Sequence, residues 1–519
     1  MKKKVLSLLL VAAMVSGLAA GCGTNGGNSS QGGSQAGNNA PIVVPEEITV
    51  MVDGTLVATV EEGQEAFVKK LQELTGIKKI NIVQPDHSAY YDNVGTTMAS
   101  KDKPDVILLS STYASSYAAE GLLWDMSEAY AGSDLEKRHK ENNATTYVDA
   151  VRIDGKLYGM PVERGGGCVT YVRQAWLDAA GIKTLPTTYD EYIDMLRKFK
   201  SAGIGASSDY VTGAAGFVGT ESPWINYLPE FYQDAYPTFT QDSNGKWIDG
   251  FTQDSMKEAL QRIADAVSEG LLDKQSNDLK TSDARTKFAS NEYGVYTYWA
   301  NHWATNLTNN IKKANPDADP TLVALPPLKE VGTYINRLSN TWCIIDDGDD
   351  SNSREASIYK YFIETMQDGG ACQFLWTYGV EDVHYSYKAG TVLAGTEKEK
   401  TYEDGKFHWL EMISDNTKLY SKMHITATSA LSKLENDPNA LGAEAIAATK
   451  LFSENCRQEI AVPSTAEYAE YNGDLTTLKN EVIALVATGQ KTVEEGYAYF
   501  KEKKGEDMSK AIVDSLNAQ

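Results

Sequence analysis

Apolar positions along this chain fall into two recurring rhythms. Ile48-Thr-Val-Met-Val52 is a short run of β-branched and apolar residues and predicts a buried strand. Phe67, Val68, Leu71 and Leu74 then recur at helical spacing, and Gly76 stops them, which predicts a helix. Ile80–Val83 and Val106–Leu109 predict two further strands, the second announced by Lys103-Pro-Asp105, with a Tyr-rich helical stretch, Tyr90–Ala99, between them. Strand and helix alternating in this way build a parallel sheet covered by helices. The first folding unit is therefore expected to be α/β.

A second unit begins after Tyr158-Gly-Met-Pro161. Val169–Val172 predicts a strand, and Pro186–Glu191 opens a helix in which Thr188 is the expected cap and Glu191 completes a capping box. Tyr192, Ile193, Leu196 and Phe199 form that helix's apolar stripe. Met256, Leu260, Ile263 and Val267 make another, ending at Gly270, and Asn244-Gly245 marks a hairpin turn. Helical spacing returns over Ile358–Met366, and the last hundred or so residues read as helix-rich, with stretches at 451–452, 478–486 and 493–500.

The N-terminus changes the picture from fold to compartment. Lys2–Lys4 precede an apolar run, Val5–Leu18, too short to span a bilayer and read as a signal peptide. Leu18-Ala-Ala-Gly-Cys22 resembles the lipobox of bacterial lipoproteins, with Ala19 where that pattern favours Leu. The resemblance implies cleavage before Cys22 and a lipid on its thiol. Gly23–Ala40 carries no charge and almost no apolar side chain, so residues 22–47 are expected to form a lipidated tether.

The chain from Cys22 onward has nearly 500 residues, enough for two or three domains, and the sequence as a whole is 42% apolar. A formal charge of −23 gives no basic surface for nucleic acid or anionic lipid. Cys168, Cys343, Cys372 and Cys456 show no CxxC spacing, and free buried thiols are favoured over two disulfides.

Pro104–Leu109 followed by Gly121-Leu-Leu-Trp-Asp125 resembles the first lobe of family 1 extracellular solute-binding proteins, the maltodextrin- and oligosaccharide-binding class of ABC importers. Tyr158–Pro161, Tyr171, Trp176–Ile182 and Pro186–Glu191 look like that family's passage into its second lobe. Tyr296–Trp303 is similar to its aromatic cleft segment, and Tyr378-Gly-Val-Glu381 with His384-Tyr385 to a signature of its longer lipoprotein members. The resemblance implies an α/β fold of the two-lobed, periplasmic-binding-protein-like type II, with hinge crossings and a helical C-terminal region. It places residues 48–160 with 330–375 in lobe 1, and 161–329 with 376–519 in lobe 2. It also implies a monomer on the outer face of a bacterial membrane of Gram-positive type, held there by the lipid alone, with the permease subunits of an ABC transporter as its protein partners.

Sugars offer apolar C–H faces and an equator of hydroxyls, so a cleft for them needs aromatic planes and planar polar groups. Ligands of open α/β sheets sit beyond the carboxyl ends of the strands. That singles out Asp53 and Thr55 after the first strand, and Ser110, Ser111 and Tyr113 after the third. Asp53 reads equally as a turn residue, and the serines equally as helix caps. Trp299, His302 and Trp303 are the aromatic candidates, against a core stripe at i, i+4 spacing. Trp224 stands in a stretch without periodicity, and Trp376, Tyr378, Glu381 and Tyr385 are candidates for a third crossing. Arg164 would fork onto a ligand carboxylate, or else form a hinge ion pair.

No nucleophile elbow, HExxH or P-loop is present, and the GxGxxG at Gly21–Gly26 follows no strand. No cofactor, no catalytic residue and no metal set is read from the chain; Asp346–Asn352 lacks EF-hand spacing and reads as a polar turn. The reading is a non-enzymatic binding protein that delivers a carbohydrate to an ABC permease. A secreted glycoside hydrolase is the alternative, since it too would show aromatics and carboxylates in a cleft.

Overall fold

The computed structural model describes residues 41–387, 409–412 and 442–518, apart from positions 55, 56, 58, 87, 88, 163–165, 219–223, 302 and 350. The signal peptide, lipobox and most of the tether lie outside the described residues. Residues 43–47, assigned to the tether by composition, are instead docked. The Val43 amide donates to Ser357 Oγ at 3.2 Å, and Glu47 already opens the first strand.

A five-stranded sheet organises the first lobe. Glu47–Met51 lies between Lys79–Val83 and Val106–Leu109, all parallel. Thr341–Ile344 returns antiparallel beside Val106–Leu109 and pairs in turn with Met160–Pro161. Because strand side chains alternate, Val50, Val106 and Leu108 enter a core on one face, while Met51, Ile107 and Leu109 enter a core on the other. The expected helix forms as Gln64–Thr75, and Gly76 at φ 77° closes it by donating to the Gln72 carbonyl.

The second lobe is built on a smaller antiparallel sheet, with Cys168–Arg173 between Val295–Trp299 and Leu322–Leu325. Every residue of Cys168–Arg173 is buried. Trp176, Phe199, Leu260 and Ile263 pack around it. Thr188 caps the Tyr189–Ala202 helix as expected, and the Glu191 carboxylate accepts from the Thr187 amide at 2.8 Å. The Thr187 hydroxyl donates to the same carboxylate at 2.8 Å, so Glu191 ties down the residue before the cap. Asn244-Gly245 does turn a hairpin, between Phe239–Gln241 and Trp247–Asp249.

The C-terminal region is helical: Ala443–Glu454, Ala466–Ala487, Val493–Glu502 and Gly505–Leu516. The last of these was not marked in the sequence pattern. Lys479 reaches from Ala466–Ala487 into the second core and pairs with Asp249 at 2.6 Å. Among the described residues the cysteines are free, and no helix is long and apolar enough to cross a membrane.

Where the lobes join, two short strands run side by side. Tyr334–Asn336 pairs parallel with Cys456–Gln458, and the Glu459 amide donates to the Asn336 carbonyl. Tyr334 belongs to the second core and Leu338 to the first, so the chain crosses between them. Val162 belongs to the first core, and the backbone of Gly166 bridges to Arg337.

Candidate functional site

The carboxyl ends of the first-lobe strands gather polar and aromatic groups. Asp53 follows the first strand and is buried at 8% exposure. Tyr91, on the Tyr90–Met98 helix, accepts from the Ser110 amide through its hydroxyl at 3.0 Å, and its ring stacks on Tyr113 at 4.2 Å. Tyr90 anchors that helix to the sheet by donating to the Leu108 carbonyl at 2.8 Å. Ser110 precedes the Ser111–Ala119 helix, yet its side chain makes no capping bond, and Ser110 Oγ is buried without a hydrogen-bond partner among the described residues. Burial raises the Tyr91 phenol above its usual range; Asp53 pushes the same way and Arg337 opposes it.

Arg337 comes from the crossing and faces both lobes. Its guanidinium lies over the Trp299 ring, 5.6 Å from the centroid, while its charge also reaches Tyr91. Trp299 ends the Val295–Trp299 strand and is half-buried. Gly166 passes close beneath it: a Cβ there would stand 3.4 Å from the indole. Glu459 completes the crossing, accepting from the Leu338 amide at 3.2 Å. Burial raises its carboxyl, and Arg337 and Arg457 oppose that shift.

Beside this crossing the second lobe holds a cavity of about 130 Å³, whose lining includes Trp224, Tyr236, Thr333, Arg337 and Arg457. Trp224 packs edge-on against Tyr232 and Tyr236, and its indole N–H has no partner among the described residues. Arg457 lies over the Tyr236 ring at 5.7 Å. The arrangement offers stacking planes, hydroxyls and guanidinium groups, the set that suits a neutral or acidic polyhydroxylated guest.

The sequence candidates divide accordingly. Asp53, Ser110, Tyr113, Trp224 and Trp299 stand at the strand ends, the crossing or the cavity. Ser111 is the first residue of its helix and half-buried. Trp303 shares no helix with Trp299: one ends a strand and the other starts the Trp303–Ala314 helix, so the i, i+4 stripe does not exist. The Trp303 ring instead meets Arg285 at 4.8 Å and Tyr298 at 5.1 Å.

Trp376 is a correction. It is 2% exposed and packs on Phe67, Trp342 and Phe362 in the first core, so it is neither a cleft wall nor part of lobe 2. Tyr378 is likewise fully buried, against Phe374, because the Ala371–Tyr378 helix turns both faces inward. Glu381 is exposed just beyond it. Thr55, Arg164 and His302 lie outside the described residues, as does the side chain of Tyr385. Tyr91, Tyr236, Arg337, Arg457 and Glu459 were not anticipated. The Tyr90-Tyr91 doublet was the one local hint; the others become neighbours only where the crossing strands pair.

Comparison with known proteins agrees with this architecture. The chain is similar to the diacetylchitobiose binding protein DasA of Streptomyces coelicolor, 30% identical over 102 residues, a match covering 20% of this chain and 22% of that protein. Alginate-binding protein AlgQ2, in a crystal structure without calcium ion, superposes with a TM-score of 0.61 at 16% identity, over 92% of this chain and 98% of that one. The N-glycan transport solute binding protein NgtS of Streptococcus pneumoniae gives 0.60 at 17% identity, over 92% and 99%. These likenesses establish the two-lobed fold. The family described as bacterial extracellular solute-binding protein matches residues 58–352, more than half of the sequence, and the chain belongs to that family.

Proposed function

We propose that this protein captures a carbohydrate, an oligosaccharide rather than a single sugar, between its two lobes and delivers it to the permease of an ABC importer. The observation that carries the reading is the convergence on Arg337. This residue stands on the crossing, its guanidinium over the Trp299 ring of one lobe and within electrostatic reach of Tyr91 of the other, which Asp53 reaches as well. A guest held there bridges both halves and stabilises the closed form by its differential affinity. Proteins named for diacetylchitobiose binding, alginate binding and N-glycan transport support a saccharide class.

The lobes act as 41–162 with 338–384 and 166–335 with 442–518, following the two cores. Cleavage before Cys22 leaves a lipid-anchored monomer on the outer face of a Gram-positive membrane, and the importer supplies the nucleotide site. Calorimetry of the mature chain against mono- and oligosaccharides, uronides included, tests the reading. Stoichiometric heat without product supports it; turnover of the sugar would identify a glycoside hydrolase instead, and silence across the panel would remove the saccharide class.

A further inference from the structure

The turn after the Thr341–Ile344 strand, Asp346-Asp-Gly-Asp-Asp-Ser-Asn352, has no EF-hand spacing, but the fold adds a residue from outside the run. The Ser353–Ile358 helix begins at once and turns Glu355 back beneath the loop, where it is 1% exposed. The Asp347 amide donates to Glu355 Oε1 at 3.2 Å. The second oxygen, Oε2, is buried with no hydrogen-bond partner among the described residues. Carboxylate oxygens of Asp346, Asp347 and Glu355 lie within 4.8 Å of one another.

Nearby cations are engaged elsewhere. Arg354 binds Asp105, and Lys360 pairs with Glu364 at 2.9 Å. Asp346 and Asp347 each accept one backbone amide, from Gly348 and Asp349 at 2.8 Å, but among the described residues no ion pair reaches the three carboxylates, so no cation offsets their mutual repulsion and Glu355 presents a buried, unbonded oxygen. A hard divalent cation would offset both costs at once.

We propose that Asp346, Asp347 and Glu355 form a divalent-cation site of calcium type. All three ligands are oxygen, which selects hard ions over zinc or copper. Two ligands come from a loop and one from a helix, an irregular set that calcium accommodates more readily than magnesium, with water completing the shell. The site lies at the far end of the sheet from the cleft. Ile344 pairs with Val106, whereas Ser110 follows the opposite end of the same strand. The bound ion would therefore clamp the loop to the start of the helix and stabilise the first lobe without touching the guest.

The test is thermal unfolding and calorimetry of the chelator-treated mature chain, titrated with calcium chloride and separately with magnesium chloride. Calcium should release or absorb heat at one site and raise the melting temperature by ~2–5 °C at saturation, with magnesium weaker. Glu355→Gln should melt at or above the wild type in chelator, because one buried charge is gone, and should lose most of the calcium response. Should that variant not fold, Asp347→Asn carries the same expectation. A wild type without any calcium-dependent heat or shift overturns the site. So does a Glu355→Gln protein that responds to calcium like the wild type.

Discussion

The Arg337 guanidinium lies 5.6 Å from the centre of the Trp299 ring, joining a crossing strand to the edge of the second sheet. Both residues are half-buried, so each retains a face for a guest. Trp299→Ala removes a stacking plane and the partner that orients Arg337. Saccharide affinity should fall about tenfold or more, an effect of ~1–2 kcal/mol, while the melting temperature changes little. Isothermal titration beside a thermal melt separates the two readouts; normal affinity would take Trp299 out of the cleft.

Trp376 behaves in the opposite way. Its ring is 5.0 Å from Phe67 and 5.9 Å from Trp342, deep in the first core. Trp376→Ala should cost ~3–5 kcal/mol of stability, read from chemical denaturation, because the cavity left there cannot collapse. Binding by the fraction that remains folded should be unchanged.

Glu230 makes the second lobe sensitive to pH. It is 2% exposed, accepts from Thr170 Oγ1 at 2.5 Å, and burial pushes its carboxyl up to about 7. Buried Tyr192 and Tyr334 are its titratable neighbours. The folded state thus holds a proton that the unfolded chain releases near its ordinary carboxylate value, so this contribution is full at acid pH and fades as pH rises towards 7. The loss should be on the order of 3 kcal/mol between about pH 4.5 and 7.5. Glu230→Gln should flatten that slope in denaturation curves taken across the range; an unchanged slope would place its origin elsewhere.

Lys479 and Asp249 form a pair in which both side chains are at most 6% exposed. Asp249 also accepts from the Phe251 amide at 3.0 Å. Lys479→Met leaves a buried carboxylate without its cation and should cost about 3–5 kcal/mol. Adding Asp249→Asn should recover a large part of that loss, since the amide keeps an acceptor for Phe251. A double variant as unstable as the single one would refute the pairing as the cause.

Short apolar runs and helical spacing were enough to find Glu47–Met51, Val106–Leu109 and Tyr189–Ala202, because each is set by the chemistry of near neighbours and by local caps. Val106–Leu109, buried on both faces, already reads as a continuous apolar run. Trp376 shows where such reading stops. A tryptophan in an aromatic signature looks the same whether its ring faces a cleft or a core, and only Phe67, Trp342 and Phe362, brought from distant positions, decide it.

Local patterning was enough for a first lobe of alternating strands and helices, a helical end, and a family likeness carried by ordered motifs. Hydrophobic periodicity and turn chemistry act between near neighbours, so they are visible in one chain. Tertiary structure alone decided that Arg337 meets Trp299, that Glu459 seals the crossing, and that Glu355 lies under an acidic turn. Those contacts join residues far apart in the chain, and their energies depend on burial and on which strands pair, which no local spacing encodes.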